Sequence, residues 1–564
     1  MRKTYYNILA AMGLVCGLAS CGDFLEIEPR NLVILEQFWN EKTDVENTVA
    51  GCYEGMQSSA VVTRLMAWGE FRSDNITVGE KAESDDLHMY KFLQANIDPS
   101  NVYTDWSSLY TVINRCNTVI LYAPDVQKKD PSFNESDLRG IIAEVSALRD
   151  LCYFYLIRTF RNVPYTTTAY TDDSQKMDIA AQPFEAVLDS LINDLERVKG
   201  DAVSRYPTDG NKKLYQTGRI TREAIYAMLC EMYLWKGDYQ QCINYAELIK
   251  ARKVKDAEED MGTLYADMSK YFNGWPLIRD WTSQTGIYGN AYEEIFGEGN
   301  SAESVFELTY MKNDNMLANG AVNTYYGYLD GSWYRRVAPS QYLTNDISNT
   351  LFKVFKNKYD ARNYESMFSA GGISKYVAYY KPVEVSTSNS NVLANTSSVY
   401  AKDKNHSNWI IYRLTDIMLM EAEAKVQLAA DNDDPLLQEA FELVQTVYRR
   451  SVLKDPDKIT DSDLLKFPSE DAKTEMEKMV MEERQRELLF EGKRWFDLVR
   501  RSMRDGNNEY LSQQIANKGL QNAAIVASNL ESTFETIFLP AYLEEWKVNS
   551  NLWKNPAYTY EEKD

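Results

Sequence analysis

Residues 221–250 read TREAIYAMLCEMYLWKGDYQQCINYAELIK, and this stretch decides the fold. Thr221 stands where an N-cap is wanted, and Ala224, Met228, Leu229 and Met232 return at helical spacing. Lys236-Gly237-Asp238 then breaks the pattern, because glycine alone enters the left-handed region at no cost. A second periodic run starts at Tyr239 and continues to about Lys250. Two helices joined by so short a turn must lie antiparallel and bury a shared face.

The register within this hairpin fits the tetratricopeptide template, in which small side chains let two helices cross closely. Tyr226, Leu229, Cys230 and Tyr233 take its large, Leu, small and Tyr positions, and Tyr239, Cys242 and Ala246 follow at the expected offsets. Cys230 and Cys242 therefore read as close-contact packing residues. A second pair is expected at 409–430 and 435–450, where Met418, Ala422 and Lys425 face Phe441, Val444 and Val447. Residues 138–160 read as one more amphipathic helix, with Ile141, Val145, Leu148, Cys152 and Leu156 on its apolar side. The fold class expected is mainly α, a tetratricopeptide-like α/α superhelix with a loop-rich ligand-binding face and a few short strands.

Between the helical regions the texture changes. From 251 to 405 glycine, asparagine, serine and aromatic residues accumulate, 304–310 alternates like a short strand, and 371–380 reads as a glycine-led strand or hairpin arm. Residues 386–398 are polar and read as a mobile surface loop or an excursion between the two halves. Trp275 follows Asn273-Gly274, Trp281 precedes Gly286, and Tyr325, Tyr326, Tyr328, Trp333 and Tyr334 crowd around Gly327 and Gly331. Turns of this kind tend to hold side chains outward, and an aromatic face suits the CH-rich face of a sugar ring. These residues, with Tyr103 and Trp106 from the N-terminal half, form the regional expectation for a ligand site.

The N-terminus carries an address. Arg2 and Lys3 precede an apolar run from Ile8 to Leu18, and Ala19 and Ser20 fit a cleavage pocket ahead of Cys21. The run is too short to span a bilayer. Cys21 is expected to be the first mature residue and the point of lipid attachment, so the membrane contact is through an anchor alone. The expected organisation is a signal peptide at 1–20, helical regions at 21–250 and 406–564, and the loop-rich region at 251–405, with 21–564 as one compact unit.

Charge and composition exclude several functions. A net charge of −22 over 564 residues, with a pI near 4.8, disfavours nucleic acid as a partner. Cys52, Cys116, Cys152, Cys230 and Cys242 lack a CxxC spacing and read as buried free thiols, with no metal site among them. The two histidines, His88 in Leu-His-Met-Tyr and His406 in Lys-Asn-His-Ser-Asn, have no catalytic motif around them. No nucleophile elbow, zinc-protease or phosphate-loop pattern is present, so no catalytic residues and no cofactor are expected.

The most distinctive motif is EERQRELLFEGKRWFDLVR at 482–500. With Cys21-Gly22-Asp23-Phe24-Leu25, Arg72-Ser73-Asp74-Asn75, Asn162-Val163-Pro164-Tyr165, Arg413-Leu414, Phe538-Leu539-Pro540 and Asn555-Pro556-Ala557-Tyr558, it resembles the SusD/RagB outer-membrane lipoproteins of Bacteroidetes. The resemblance runs through nearly the whole mature chain. It implies a non-catalytic surface protein that captures a glycan and delivers it to a SusC-like TonB-dependent transporter, lipid-anchored in the outer membrane and facing outward. Asp23, Glu26 and Glu28 resemble the acidic signals that send such lipoproteins to the cell exterior. A RagB-like peptide-binding lid, or a structural lid without its own ligand site, are the alternatives it leaves open. By physics the motif itself is structural: Glu482 and Arg486 attract at i,i+4, while Glu483 and Glu487 repel unless Arg484, Arg494 or Arg500 compensates, and Trp495 and Leu498 dock the element.

Overall fold

The computed structural model describes residues 38–172, 174–207, 214–259, 272–278, 290–311, 318–329, 332–333, 336–340, 343, 354–357, 359–367, 372–387, 390–399, 405–452, 454, 458–518 and 522–560. Its helical elements begin with α1 (Lys42–Gln57) and α2 (Ser59–Met66), then, after strand β1 (Ile76–Val78), α3 (Leu87–Leu93), α4 (Ser107–Lys129) and α5 (Glu135–Phe160). Strands β2 (Val163–Pro164) and β3 (Ala181–Gln182) lead to α6 (Phe184–Val198), α7 (Arg222–Lys236) and α8 (Tyr239–Glu259). The middle holds β4 (Ser304–Leu308), α9 (Gly320–Tyr326), β5 (Tyr328–Leu329), β6 (Ser332–Trp333), β7 (Val337–Pro339), β8 (Ala378–Thr387), β9 (Ser390–Val399) and β10 (Trp409–Arg413). Helices α10 (Leu414–Leu428), α11 (Pro435–Arg450), α12 (Ala472–Glu487), α13 (Arg494–Asp505) and α14 (Leu543–Val548) follow.

The hairpin at 221–250 forms as its sequence dictates. Thr221 Oγ1 accepts from the Ala224 amide, and Gly237 ends α7 in the left-handed region at φ 81°. Cys230 and Cys242 are fully buried with their sulfurs 3.5 Å apart, the close crossing that small side chains permit. All five described cysteines are free and buried. Helix α8 runs nine residues beyond Lys250, and Arg252–Asp256 and Lys255–Glu259 pairs at i,i+4 support that extension. Pairs α4/α5, α5/α6, α7/α8 and α10/α11 stack on one another, with α8 against α10 and both α10 and α11 against α12. The protein is thus mainly α on a tetratricopeptide-like scaffold, and buried side chains from Trp39 to Leu552 join one apolar cluster.

Three expectations change. Helix α5 is not one-sided: every residue from Ala143 to Phe160 is buried. Its charges are neutralised in place, Arg158 by Glu231 at 2.5 Å, Glu144 by Arg219 at 2.6 Å, and Arg149 by Asp150 and Asp194. The helix expected from 409 starts only at Leu414, because Trp409, Ile410, Ile411 and Tyr412 are aromatic or β-branched and pair as β10 against β4. The strand expected at 304–310 is its partner. Of the polar stretch at 386–398, expected as a loop or an excursion between the two halves, 386–387 end β8 and 390–398 lie in β9, so in place of a loop it joins the arms of one hairpin, in register from Ala378↔Val399 to Thr387↔Ser390.

The 482–500 motif spans the end of α12, a tight turn and the start of α13, and almost all of it is buried. Glu487 lies between three guanidiniums: Arg413 at 2.6 Å, Arg450 at 2.6 Å and Arg362 at 2.9 Å. Burial opposes its charge, yet the three cations outweigh burial and hold its carboxyl well below the usual range. Arg362 also reaches Glu483 at 2.7 Å, so this arginine, rather than Arg484, Arg494 or Arg500, relieves the Glu483/Glu487 repulsion. Those three have their own partners: Arg484 binds Asp416 and Asp497, Arg494 binds Asp74, and Arg500 binds Glu423 and Asp497. Trp495 is buried under the Arg72 guanidinium, 4.0 Å from its ring, and Leu498 is fully buried.

The turn of the motif sits on a π-helical turn at Ala67–Phe71. A Cβ on Gly69 would stand 1.9 Å from the Gly492 carbonyl oxygen, so only glycine permits the approach. Glu70 accepts there from Asn75 Nδ2 at 2.8 Å, Gly492 N at 3.1 Å and Phe490 N at 3.2 Å. Burial nevertheless pushes its carboxyl from 4.5 up to about 7.

Two predictions come from this region. Glu487→Ala strands three buried arginines and should cost about 3–5 kcal/mol in urea unfolding, and a loss under about 1 kcal/mol would contradict the geometry. Glu70 binds its proton more tightly in the folded state, so its contribution is complete below pH 4.5 and disappears as pH rises through 7. The stability of the natural protein relative to Glu70→Gln should therefore fall by roughly 3 kcal/mol between those limits, whereas a pH-independent difference would refute the assignment.

Candidate functional site

Strand β1 follows Arg72-Ser73-Asp74-Asn75 in the N-terminal half and β7 follows the aromatic stretch of the middle region. They pair antiparallel, Ile76↔Pro339 to Val78↔Val337, and the ladder is extended by Gly79 N to Arg336 O at 3.1 Å and Ser340 N to Asn75 O at 2.9 Å. This pairing brings two distant parts of the chain onto one face.

Around the pair the side chains interlock. Asp86 caps α3 by accepting from Met89 N at 2.9 Å, and its other oxygen accepts from the Tyr103 hydroxyl at 2.5 Å. The Tyr103 and Tyr325 hydroxyls are 2.7 Å apart, and Arg336 Nη1 lies 3.7 Å from Asp86. Asn101 holds this corner, accepting from Tyr103 N and donating to the His88 carbonyl. Burial first, then Tyr325 and Asp86, keep the Tyr103 phenol protonated, so it serves as a donor and not as a base. Helix α9 is capped by Asn319 and seated on the motif turn, where the Tyr326 hydroxyl donates to the Phe490 carbonyl at 3.3 Å and Phe71 packs on Tyr325. Gly327 leads out of α9 into the short hairpin of β5 and β6, in which Tyr328 and Trp333 occupy directly opposed positions.

The aromatic residues expected at the surface divide. Trp275 is 1% exposed, Tyr326 2% and Tyr325 5%, so the expectation that turns hold these rings outward fails for these three, and the further candidates Tyr103 and Trp106 are buried as well, at 4%. For Trp275 the reason is local: Asn273 and Gly274 both adopt positive φ, and the chain doubles back so that its ring lies 4.7 Å from Lys250 Nζ on α8. Trp106 packs edge-on against Phe160 at 4.8 Å. Tyr103, Tyr325 and Tyr326 are gathered at the β1–β7 face as its foundation, and Trp275 lies elsewhere. Trp281, Tyr334, Cys21, Asp23, Glu26 and Glu28 lie outside the described residues.

Sequence reading missed Asp86 and Arg336. Asp86 had a signal, since it precedes a periodic Leu-His-Met-Tyr run as an N-cap would. Arg336 had none beyond its place after the aromatic cluster. A carboxylate, a guanidinium and phenolic hydroxyls gathered at one strand pair can exchange hydrogen bonds with a neutral, hydroxyl-rich ligand. Among the described residues no group of His, Cys, Asp and Glu is placed to hold a metal ion, and no helix is long and apolar enough to cross a membrane.

Comparison with known proteins gives two family matches that occupy most of the chain. Residues 279–558 match the SusD family, and residues 23–234 match a family described as starch-binding and associating with the outer membrane. SusD-like protein P38 of Formosa agariphila is 25% identical over 516 residues, covering 88% of this chain and 90% of that protein. SusD-like protein P25 of the same organism is 22% identical over 511 residues, 88% of this chain and 89% of its own length. Among solved structures, a SusD homologue from Bacteroides thetaiotaomicron superposes with a TM-score of 0.65 at 17% identity, covering 92% of this chain and 98% of that one. A laminarin-binding SusD-like protein superposes with a TM-score of 0.60 at 19% identity over 92% of this chain and all of the other. The two family matches, the relatives aligned over most of their length and the shared fold place this chain in the SusD-like family, which is associated with the outer membrane.

Proposed function

We propose that this protein is a non-catalytic glycan-binding lipoprotein of the cell surface, which captures oligosaccharide or polysaccharide and passes it to a SusC-like TonB-dependent transporter. The observation that carries the reading is the β1–β7 pairing, around which Asp86, Tyr103, Tyr325 and Arg336 interlock, with Tyr328 and Trp333 lying in the chain between Tyr325 and Arg336. Flat aromatic groups next to fixed donors and acceptors are the chemistry of sugar recognition, where ring faces take apolar contact and hydroxyls take hydrogen bonds. The strong net negative charge suits a neutral glycan. A laminarin-binding protein with the same fold supports the ligand class without fixing the linkage.

Attachment through Cys21 would leave the scaffold tethered beside its transporter, and tethering raises the effective concentration of each for the other. Retention on a polysaccharide affinity gel tests the reading, using the soluble form that begins after Cys21. The natural sequence should be retarded on at least one gel, and Trp333→Ala and Tyr328→Ala should abolish retardation with an unchanged melting temperature. Trp275→Ala, by contrast, should lower stability by about 3–5 kcal/mol because it empties a buried site. Passage through every gel with a calorimetric response to oligopeptides would move the assignment to a RagB-like peptide binder; neither response would leave a structural lid.

A further inference from the structure

A groove of about 740 Å³, with no β1 or β7 residue in its lining, lies between the N-terminal half of α4, the segment after β2, and α14. Its walls are fixed from within. The Tyr110 hydroxyl donates to the Pro164 carbonyl at 2.7 Å, and the ring is braced edge-on by Trp106 at 5.8 Å and Tyr153 at 6.1 Å. Asn114 commits both ends of its amide to Tyr170, donating to its carbonyl at 2.9 Å and accepting from its amide at 2.8 Å.

Two features of the groove are left without a counterpart. Glu545 is half-buried in it, and among the described residues its carboxylate makes no hydrogen bond or ion pair. Burial, and then Asp105, raise its pKa, as expected for a carboxylate without compensating donors. Met177 and Val548 stand at the rim 57% and 77% exposed, apolar surface kept in water.

We propose that this groove is a second binding site, for a neutral saccharide unit. Sugar hydroxyls are the donors that Glu545 lacks, and the CH faces of the ring match Tyr110, Met177 and Val548. An anionic ligand would meet Glu545, Asp178 and the net charge of −22, while Arg115, the cation of the lining, donates to the Gly51 carbonyl at 2.6 Å. A peptide brings carbonyls that need N–H donors, yet the amides of Asn114 and Asn549 are spent on the Tyr170 and Ile179 carbonyls. The site is separate from the β1–β7 face and stands or falls without it.

The test is carbon-13 methyl NMR of methionine-labelled soluble protein, following Met177 during titration with maltose, cellobiose, laminaribiose and mannobiose. At least one disaccharide should shift the Met177 methyl saturably. Glu545→Gln should weaken that binding roughly tenfold, and Thr111→Trp, a filling change at an exposed position of α4, should abolish it. Trp333→Ala should leave the Met177 response intact while gel retention is lost, which keeps failure at one site distinct from failure at the other. Silence from all four sugars, or a shift that survives Thr111→Trp, overturns the proposal. A response to an N-acetyl dipeptide amide in place of any sugar overturns it in favour of peptide.

Discussion

The structure depends on one buried carboxylate. Glu487 ends α12 in the grip of Arg362, Arg413 and Arg450, which come from the middle region, the end of β10 and the end of α11. No three of these segments are adjacent in sequence. Burying such a cluster carries a large desolvation cost, and an apolar replacement of equal shape can be as stable, so its contribution is chiefly directional. Each charge accepts only one arrangement of the others, and the helices that carry them are held to that arrangement. Through its own backbone the motif links this cluster to further pairs, Glu491 with Lys375 and Arg413, Lys493 with Asp416, and Arg494 with Asp74 just before β1.

That chain of contacts explains how a helical scaffold positions a loop-built face. Arg494 fixes Asp74, Asp74 lies next to the start of β1, and β1 recruits β7. The motif turn meanwhile supports α9 through Phe490 and the Tyr326 hydroxyl. The face proposed for the ligand is thus anchored on two sides by the same motif, although none of the motif residues belongs to it. Rigid support beneath variable loops is how a fold can change ligands without changing its core.

The helical architecture was legible because its signals are local: the Thr221 cap, the Gly237 stop, and the periodicity at 221–250 lie within a few turns of one another. Cys52, Cys116, Cys152, Cys230 and Cys242 likewise read correctly as buried free thiols. Part of what escaped was set by partners far away in the chain. Residues 409–413 pair with β4, more than a hundred residues earlier, whereas β9 is the second arm of a local hairpin with β8 whose polar sequence lacked the alternation of a strand. The outward placement of Trp275, Tyr325 and Tyr326 failed for a related reason. Glycine marks a reversal of the chain but not which side of the turn holds the core, and here the core lay on the aromatic side. Asp86 and Arg336 carried too little pattern to be singled out among 83 acidic and 61 basic residues.

The central claim is that the β1–β7 face takes a glycan. Hydrogen–deuterium exchange with and without a glycan selected on an array tests it most directly, since it reports every segment of the natural sequence at once. The account predicts slowed exchange in peptides covering residues 76–104 and 318–340, with the α7/α8 hairpin unchanged. Saturating glycan that protects only the helical scaffold, and leaves those two segments exchanging as before, would contradict it.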